Sequence, residues 1–91
     1  MATELVHVGH GNYVSANKIV SIATPGSGPV RRLVQEAKNR NMAVDMTGGR
    51  KTKAIVFMDN GSVVLAAVTP GTIDRRLRHS RDRGAAEEEE A

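Results

Sequence analysis

The sequence contains no cysteine and no tryptophan, and one tyrosine and one phenylalanine, Tyr13 and Phe57, complete its aromatic inventory. Without cysteine the chain forms neither a disulfide framework nor a cysteine-ligated zinc site. It has no apolar run of about 18 residues, which argues against a membrane span. It also has no basic segment followed by an apolar stretch near its start, which argues against a secretion signal. We therefore expect a cytoplasmic protein with no membrane contact.

The chain also has few residues from which to form a hydrophobic core. Its 91 residues are 40% hydrophobic, which is enough for one small domain. A domain of this size buries only about 60–65% of the surface that its unfolded chain exposes. Thin cores of this kind often recruit a second subunit.

The net charge of +3 conceals an uneven distribution along the chain. Residues 1–86 hold all 13 Lys and Arg side chains and six of the ten acids, a net charge of +7, whereas Glu87–Glu90 supply the other four acids. A domain this basic favours a polyanionic partner. The alternative is that the charge only keeps the protein soluble.

The pattern of apolar and turn-forming residues predicts an α+β fold with a small, mostly antiparallel sheet, one main helix and a short C-terminal helix. The main helix is expected to begin near Pro29, with Ser27 or Gly28 as its cap, and to end near Arg40 and Asn41. Its apolar face is predicted to contain Val30, Leu33, Val34 and Ala37. Strands are predicted at residues 5–8, 13–14, 18–23, 42–46, 54–58 and 63–68.

Two further patterns complete the predicted organisation. Asn60-Gly61 suits a tight turn between the last two strands, and Thr69-Pro70 opens the short helix that carries Ile73 and Leu77 inward. We expect residues 1–78 to form one folded domain. Residues 79–91 are expected to be a disordered tail, first basic and then acidic.

The sequence contains no complete enzyme motif, so we predict no catalytic residues, no cofactor and no metal site. Gly9-His10-Gly11 begins like a dinucleotide fingerprint but leads into a strand rather than a helix. Gly49-Arg50-Lys51-Thr52 lacks the glycine spacing of a phosphate-binding loop. His7 and His10 have no further His or Cys nearby in the sequence. A small-molecule substrate is therefore not expected either.

The basic residues carry a stronger signal than any catalytic motif. Arg50, Lys51 and Lys53 follow a Gly-Gly pair in a predicted loop, and Lys18 follows a separate turn. Cations on a glycine-containing loop can approach a phosphate closely, although each lysine alone can equally serve solvation. Arg75, Arg76 and Arg78 have a structural explanation, because cations stabilise the C-terminal end of a helix.

The shortage of aromatics limits the modes of nucleic-acid binding. Modules that bind RNA or single strands stack bases on several exposed aromatic rings, and no helix-turn-helix pattern is present. Binding to duplex phosphates through charge and loop shape remains.

Several segments in order then resemble one family, the RemA-like extracellular-matrix regulators of bacteria. The resemblance covers about residues 4–78 and is carried by residues 9–22, 29–37, 45–54, 55–59 and 63–70. It implies a DNA-binding transcriptional regulator of biofilm-matrix genes, associated with the nucleoid. It also implies a ring-shaped homo-oligomer, a heptamer, that displays basic loops to duplex DNA.

Carried over by position, the resemblance implies that Arg50, Lys51, Lys18 and Lys53 contact DNA, with Lys18 on the same face as the loop. Family members usually have arginine at the three lysine positions. Lysine keeps the charge but loses the bidentate fork of arginine. Gly48 stands where a larger residue is common, and the acidic tail has no counterpart in the family.

Two alternatives remain open from the sequence. The first is a ring-forming protein-interaction scaffold that does not bind nucleic acid, and the second is an RNA-binding accessory factor. A separate hypothesis has Glu87–Glu90 folding back on the basic loops and competing with DNA.

Overall fold

The computed structural model describes residues 4–79, which form six strands, one 3-10 turn and two α-helices. The strands are β1 (Leu5–Gly9), β2 (Asn12–Ser15), β3 (Ile19–Ala23), β4 (Ala43–Asp45), β5 (Ala54–Met58) and β6 (Val63–Ala66). The helices are α1 (Gly28–Asn39) and α2, which covers residues 70–79. The α+β prediction is confirmed. The predicted tail lies outside the described residues except for His79, which is the last described residue of α2.

β1 and β2 form an antiparallel hairpin joined by an unusual turn. Gly9, His10 and Gly11 all have positive φ, at 106°, 53° and 79°. Two of the three are glycines, which adopt this conformation without steric cost. The buried side of the hairpin presents Val6 and Val8 to the core.

The other four strands form a second sheet in the order β3-β5-β6-β4. β3 pairs antiparallel with β5, and β5 pairs antiparallel with β6, as the predicted hairpin requires. β4 pairs parallel with β6. This direction is possible because α1 connects β3 to β4 as a crossover, which leaves the two strands parallel. The sheet is therefore mixed at this edge, and β6 ends at Ala66, two residues before the predicted limit.

Helix α1 begins and ends close to its predicted limits. Ser27 caps it, with its Oγ accepting a hydrogen bond from the Val30 amide at 3.2 Å. After the helix, Asn41 takes the left-handed conformation with φ 57°. The prediction that Leu33 lies on the buried face is wrong, because its side chain is 46% exposed. At 100° per residue, Leu33 lies about 60° to one side of the stripe through Val30, Val34 and Ala37.

Helix α2 covers the opposite side of the molecule from α1. Its Ile73 is fully buried in a first core cluster, which also includes Val8 and Val56, and Leu77 packs against this cluster, as predicted. Thr69 caps the helix, because its Oγ1 accepts from the Thr72 amide at 3.3 Å. The second core cluster lies under α1 and includes Ala37 and Ile55, with Phe57 packed against it. Neither helix is long and apolar enough to cross a membrane.

Candidate nucleic-acid interface

The loop between β4 and β5 is hydrogen-bonded at both of its ends to adjacent residues of β6. At its start the Met46 amide donates to the Leu65 carbonyl oxygen at 2.9 Å, and at its end the Lys53 amide donates to the Ala66 carbonyl oxygen at 2.8 Å. Both anchors lie at the C-terminal end of β6. We call residues 47–53 the cation loop, because they include the three predicted cations Arg50, Lys51 and Lys53.

The base of the cation loop is held by Asp45. One carboxylate oxygen accepts from the Thr47 hydroxyl at 2.6 Å and from the Thr47 amide at 2.8 Å. These two bonds, the hydroxyl bond first, lower the pKa of Asp45 below its ordinary value; burial opposes them, and the charge of Lys38 adds the smallest lowering effect. Thr47 is the one buried polar side chain among residues 4–79. The loop therefore starts from a fixed position.

A second support comes from the β1–β2 turn. The Asn12 side-chain amide donates to the Met46 carbonyl oxygen and to the Gly9 carbonyl oxygen, both at 3.2 Å. Asn12 thus connects the hairpin to the cation loop across 34 residues of sequence. Sequence reasoning missed this residue. An asparagine beside glycines indicates only a turn, and nothing in the pattern names the distant acceptor.

The tip of the loop is shaped by two consecutive glycines. Gly48 and Gly49 have φ 62° and 84°, and the Arg50 amide donates to the Thr47 carbonyl oxygen at 3.1 Å to close the turn. Arg50 folds over this turn, because a Cβ added at Gly48 would meet its guanidinium nitrogen at 2.9 Å. A larger residue at position 48 would therefore displace the Arg50 side chain.

The three loop cations are exposed. Within residues 4–79, Arg50, Lys51 and Lys53 form no ion pair with a carboxylate. Their charge is accordingly available to an anion from solution. The structure brings these three predicted residues together on one segment of chain.

Lys18 is not brought to the same place within one protomer. Its carbonyl oxygen accepts from the Asp59 amide at 2.8 Å, and its Nζ lies 3.8 Å from the Asp59 carboxylate. Asp59 follows β5, whereas the cation loop precedes β5. At about 3.3 Å per residue along the strand, Lys18 and Lys53 are separated by about 20 Å. Within a single chain Lys18 therefore lies at the opposite end of β5 from the cation loop, and its place on the same DNA-binding face stays a prediction.

Among residues 4–79, no three His, Cys, Asp or Glu side chains lie close enough together to hold a metal ion. Asp45, the one acid with a shifted pKa in this part of the chain, is engaged with Thr47 at the base of the loop. What the arrangement can do is present fixed positive charge to a large anion.

The fold and the loop define a small basic α+β domain that displays exposed cations at one end of a sheet. A family model described as "Extracellular matrix regulatory protein A-like", the RemA-like family, matches residues 5–77. The chain belongs to this family, as its sequence segments predicted.

Curated relatives agree with the family match. The chain is 48% identical over 81 residues to a protein of Dehalococcoides mccartyi strain BAV1, a match that covers 89% of this chain and 84% of the relative. It is 49% identical over 77 residues to a protein of Brevibacillus brevis strain 47, covering 85% and 90%. A Clostridium beijerinckii protein is 42% identical over 90 residues, covering 99% and 100%. Each relative is named for a regulatory role.

Proposed function

We propose that this protein is a non-enzymatic regulator that binds duplex DNA as a homo-oligomeric ring, with Arg50 and Lys51 as phosphate contacts. Lys53 and Lys18 add charge to the same complex. The observation that carries the proposal is the cation loop itself. Its cations are exposed and have no carboxylate partner among the described residues.

The way the loop is built favours contact with phosphate. Asp45 and Asn12 hold its base, so the cations do not have to be ordered from a fully flexible chain when DNA binds. Gly48 and Gly49 leave the backbone at the tip without side chains, which lets the phosphate backbone approach closely. These contacts carry no base information, so we expect binding that reads charge and shape rather than sequence.

Oligomerisation is supported by apolar side chains on the surface. The open edges of a sheet can pair with another chain, and apolar side chains exposed there add to such a contact. Outside the β1–β2 hairpin, the exposed ones are Val20 on edge strand β3, Val44 on edge strand β4 and Leu33 on α1.

A ring would also solve the problem of affinity. Two or three phosphate contacts from one protomer bind duplex weakly, whereas repeated copies raise the effective concentration of each further contact. In this arrangement Lys18, about 20 Å from the loop, contacts a different part of the same duplex. That distance corresponds to about 12 phosphate charges along the helix axis.

The test is a mobility-shift titration over a range of salt concentrations, with light scattering to report the oligomeric state. We expect Arg50→Glu to abolish duplex binding at moderate salt and to leave the oligomer intact. Arg32→Glu is the matched control, since Arg32 is an exposed arginine of α1 outside the loop. Wild-type log affinity should fall with log salt by about 0.9 for each phosphate neutralised.

Two results would contradict the proposal. A flat salt response would exclude binding through phosphates. A large oligomer that binds no DNA at moderate salt would favour the scaffold alternative. Competition between duplex DNA and duplex RNA of equal length separates the remaining RNA-binding alternative.

A further inference from the structure

A second basic surface lies away from the cation loop, between the β1–β2 hairpin and α2. It is an open cleft of about 800 Å³, within the range of volumes that small-molecule sites occupy. None of the described residues that line it is acidic. Its lining includes Leu5, His7 and Tyr13 on the hairpin and Arg75, Arg76 and Arg78 on α2.

Arg76 is half-buried in this cleft without a carboxylate partner among residues 4–79. Its Nη1 donates to the His7 carbonyl oxygen at 2.9 Å and lies 3.3 Å from His7 Nδ1. A partly desolvated guanidinium is costly unless an anion neutralises it and its five N–H groups find acceptors. The described residues supply Arg76 with these two acceptors alone.

The His7 ring makes this shortage of hydrogen-bond acceptors greater. Its Nε2 accepts from the Gly11 amide at 3.2 Å, and its Nδ1 faces Arg76. A neutral imidazole has one acceptor nitrogen, so it cannot accept from both donors at once. The corner between His7 and Arg76 therefore contains more N–H donors than acceptors, which is the arrangement that binds an anion.

Arg75 adds a second uncompensated charge. It is exposed and forms no ion pair in the part of the chain that the structure describes. Arg78 differs, because its Nε lies 3.2 Å from the Asp74 carboxylate one turn earlier. The charge offered to a ligand thus comes mainly from Arg75 and Arg76.

The other wall of the cleft is aromatic and largely apolar. The rings of His7 and Tyr13 lie 5.0 Å apart at 43°. Tyr13 is 55% exposed and Leu5 is 58% exposed, so both present apolar surface to the cleft rather than to the core. An aromatic surface of this kind can stack on a planar ring, whichever base that ring belongs to.

We propose that this cleft binds a nucleotide, with the phosphate against Arg75 and Arg76 and the base against Tyr13 and Leu5. A phosphate alone would leave the apolar wall uncovered, and a nucleoside alone would leave the guanidinium groups unpaired. A nucleotide carries a phosphate for the guanidinium groups and a base for the apolar wall in one small molecule. The site does not depend on the proposed binding of DNA by the cation loop.

The experiment is calorimetric titration of the full-length protein with four probes: AMP, GMP, adenosine and inorganic phosphate. We expect AMP and GMP to bind with a dissociation constant below about 1 mM, and adenosine and phosphate each to bind at least ~10-fold more weakly. Two purines are used because no group in the cleft is assigned to reading the base.

Variants locate the binding site. Arg75→Gln and Tyr13→Ala should each weaken AMP binding at least ~10-fold, since charge-assisted hydrogen bonds and base stacking contribute on that scale. Tyr13→Phe keeps the ring and should retain affinity. Arg32→Gln is the control for loss of one exposed arginine. Arg75 and Tyr13 are both exposed, so these changes should not unfold the protein.

The outcomes separate this proposal from the proposed function. AMP binding that persists in Arg50→Glu and is lost in Arg75→Gln supports the cleft. Loss of AMP binding in Arg50→Glu would place the ligand at the cation loop and overturn the proposal. Phosphate binding as tight as AMP binding, AMP binding that tolerates Tyr13→Ala, or no binding of either purine nucleotide would also overturn it.

Discussion

Arg50 and Lys51 stand on a loop whose tip consists of two left-handed glycines, whereas Arg76 lies half-buried between a strand and a helix. The loop cations are exposed to solvent, and the base of their loop is held by the rest of the domain. Arg76 and its neighbour Arg75 line a concave surface with an aromatic wall opposite.

The difference shows that equal charge can serve different ligands in a chain of this size. A convex, exposed group of cations suits a polymer that passes over many protomers in turn. A concave site with both cationic and apolar walls suits one discrete ligand. Net charge and isoelectric point do not distinguish the two surfaces, whereas the backbone that supports each surface does.

The largest expected effect comes from neutralising one surface at a time. Arg50→Gln/Lys51→Gln should reduce duplex affinity by about 100-fold and lower the salt slope by about 1.8 for each protomer in contact, or 0.9 per phosphate. Arg75→Gln/Arg78→Gln removes the same charge from α2 and should change neither quantity appreciably. Mobility shifts over a salt series measure both, and equal losses in the two variants would remove the distinction between the surfaces.

The next effect concerns the connection between the hairpin and the cation loop. Asn12→Ala removes the bonds to Met46 and Gly9 and should lower the free energy of unfolding by about 1 kcal/mol. Because the loop base then loosens, duplex affinity should also fall by about fivefold with every cation still present.

Asn60→Ala is the matched control for that change. Asn60 Oδ1 accepts from the Ser62 amide at 2.9 Å in the β5–β6 turn, at the other end of the sheet. The control should lose similar stability without losing affinity. Urea unfolding and mobility shifts would measure the two quantities, and a parallel loss of affinity in Asn60→Ala would mean that general instability is the cause.

A smaller effect tests the glycine tip. Gly49→Ala places a side chain at φ 84° although no atom lies within 4 Å of the new Cβ. Left-handed backbone costs a residue with a Cβ about 1–2 kcal/mol, so the melting temperature should fall by several degrees. Gly26→Ala also enters open space but at a φ outside the left-handed region, and it should leave the melting temperature unchanged or slightly raised. Equal shifts would mean that the tip is not strained.

The smallest effect depends on pH. Hydrogen bonds from Thr47 keep Asp45 ionised to lower pH in the folded protein than in the unfolded chain. Its stabilising contribution is therefore complete above the ordinary aspartate pKa of about 4 and disappears as pH falls through the lower folded value. Asp45→Asn should be less stable than wild type at neutral pH, with the difference constant down to about pH 5 and shrinking below pH 4. Urea unfolding at several pH values would show it, and a difference independent of pH would exclude this explanation.

Local sequence signals predicted most of the fold. Ser27 and Pro29 placed the start of α1, and Asn60-Gly61 placed the β5–β6 turn, because each of these residues has a conformational preference of its own. The parallel pairing of β4 with β6 was not predictable in this way, since it depends on how α1 packs across the sheet.

The candidate site was predictable only in part. The run of cations after Gly48 and Gly49 is visible in the sequence, and the family resemblance drew attention to the same residues. Three features depend on long-range geometry instead. They are the reach of Asn12 to Met46, the place of Lys18 at the far end of β5, and the meeting of His7 with Arg76 across 69 residues.

The adjacent anchors of the cation loop have a consequence for its evolution. Since Met46 at one end of the loop bonds to Leu65 and Lys53 at the other end bonds to the adjacent Ala66, the two ends stay close together whatever lies between them. Loop-closure entropy grows only slowly with added length. Insertions between Gly48 and Thr52 should therefore leave the sheet unchanged, and new recognition segments could be grafted there without redesigning the scaffold.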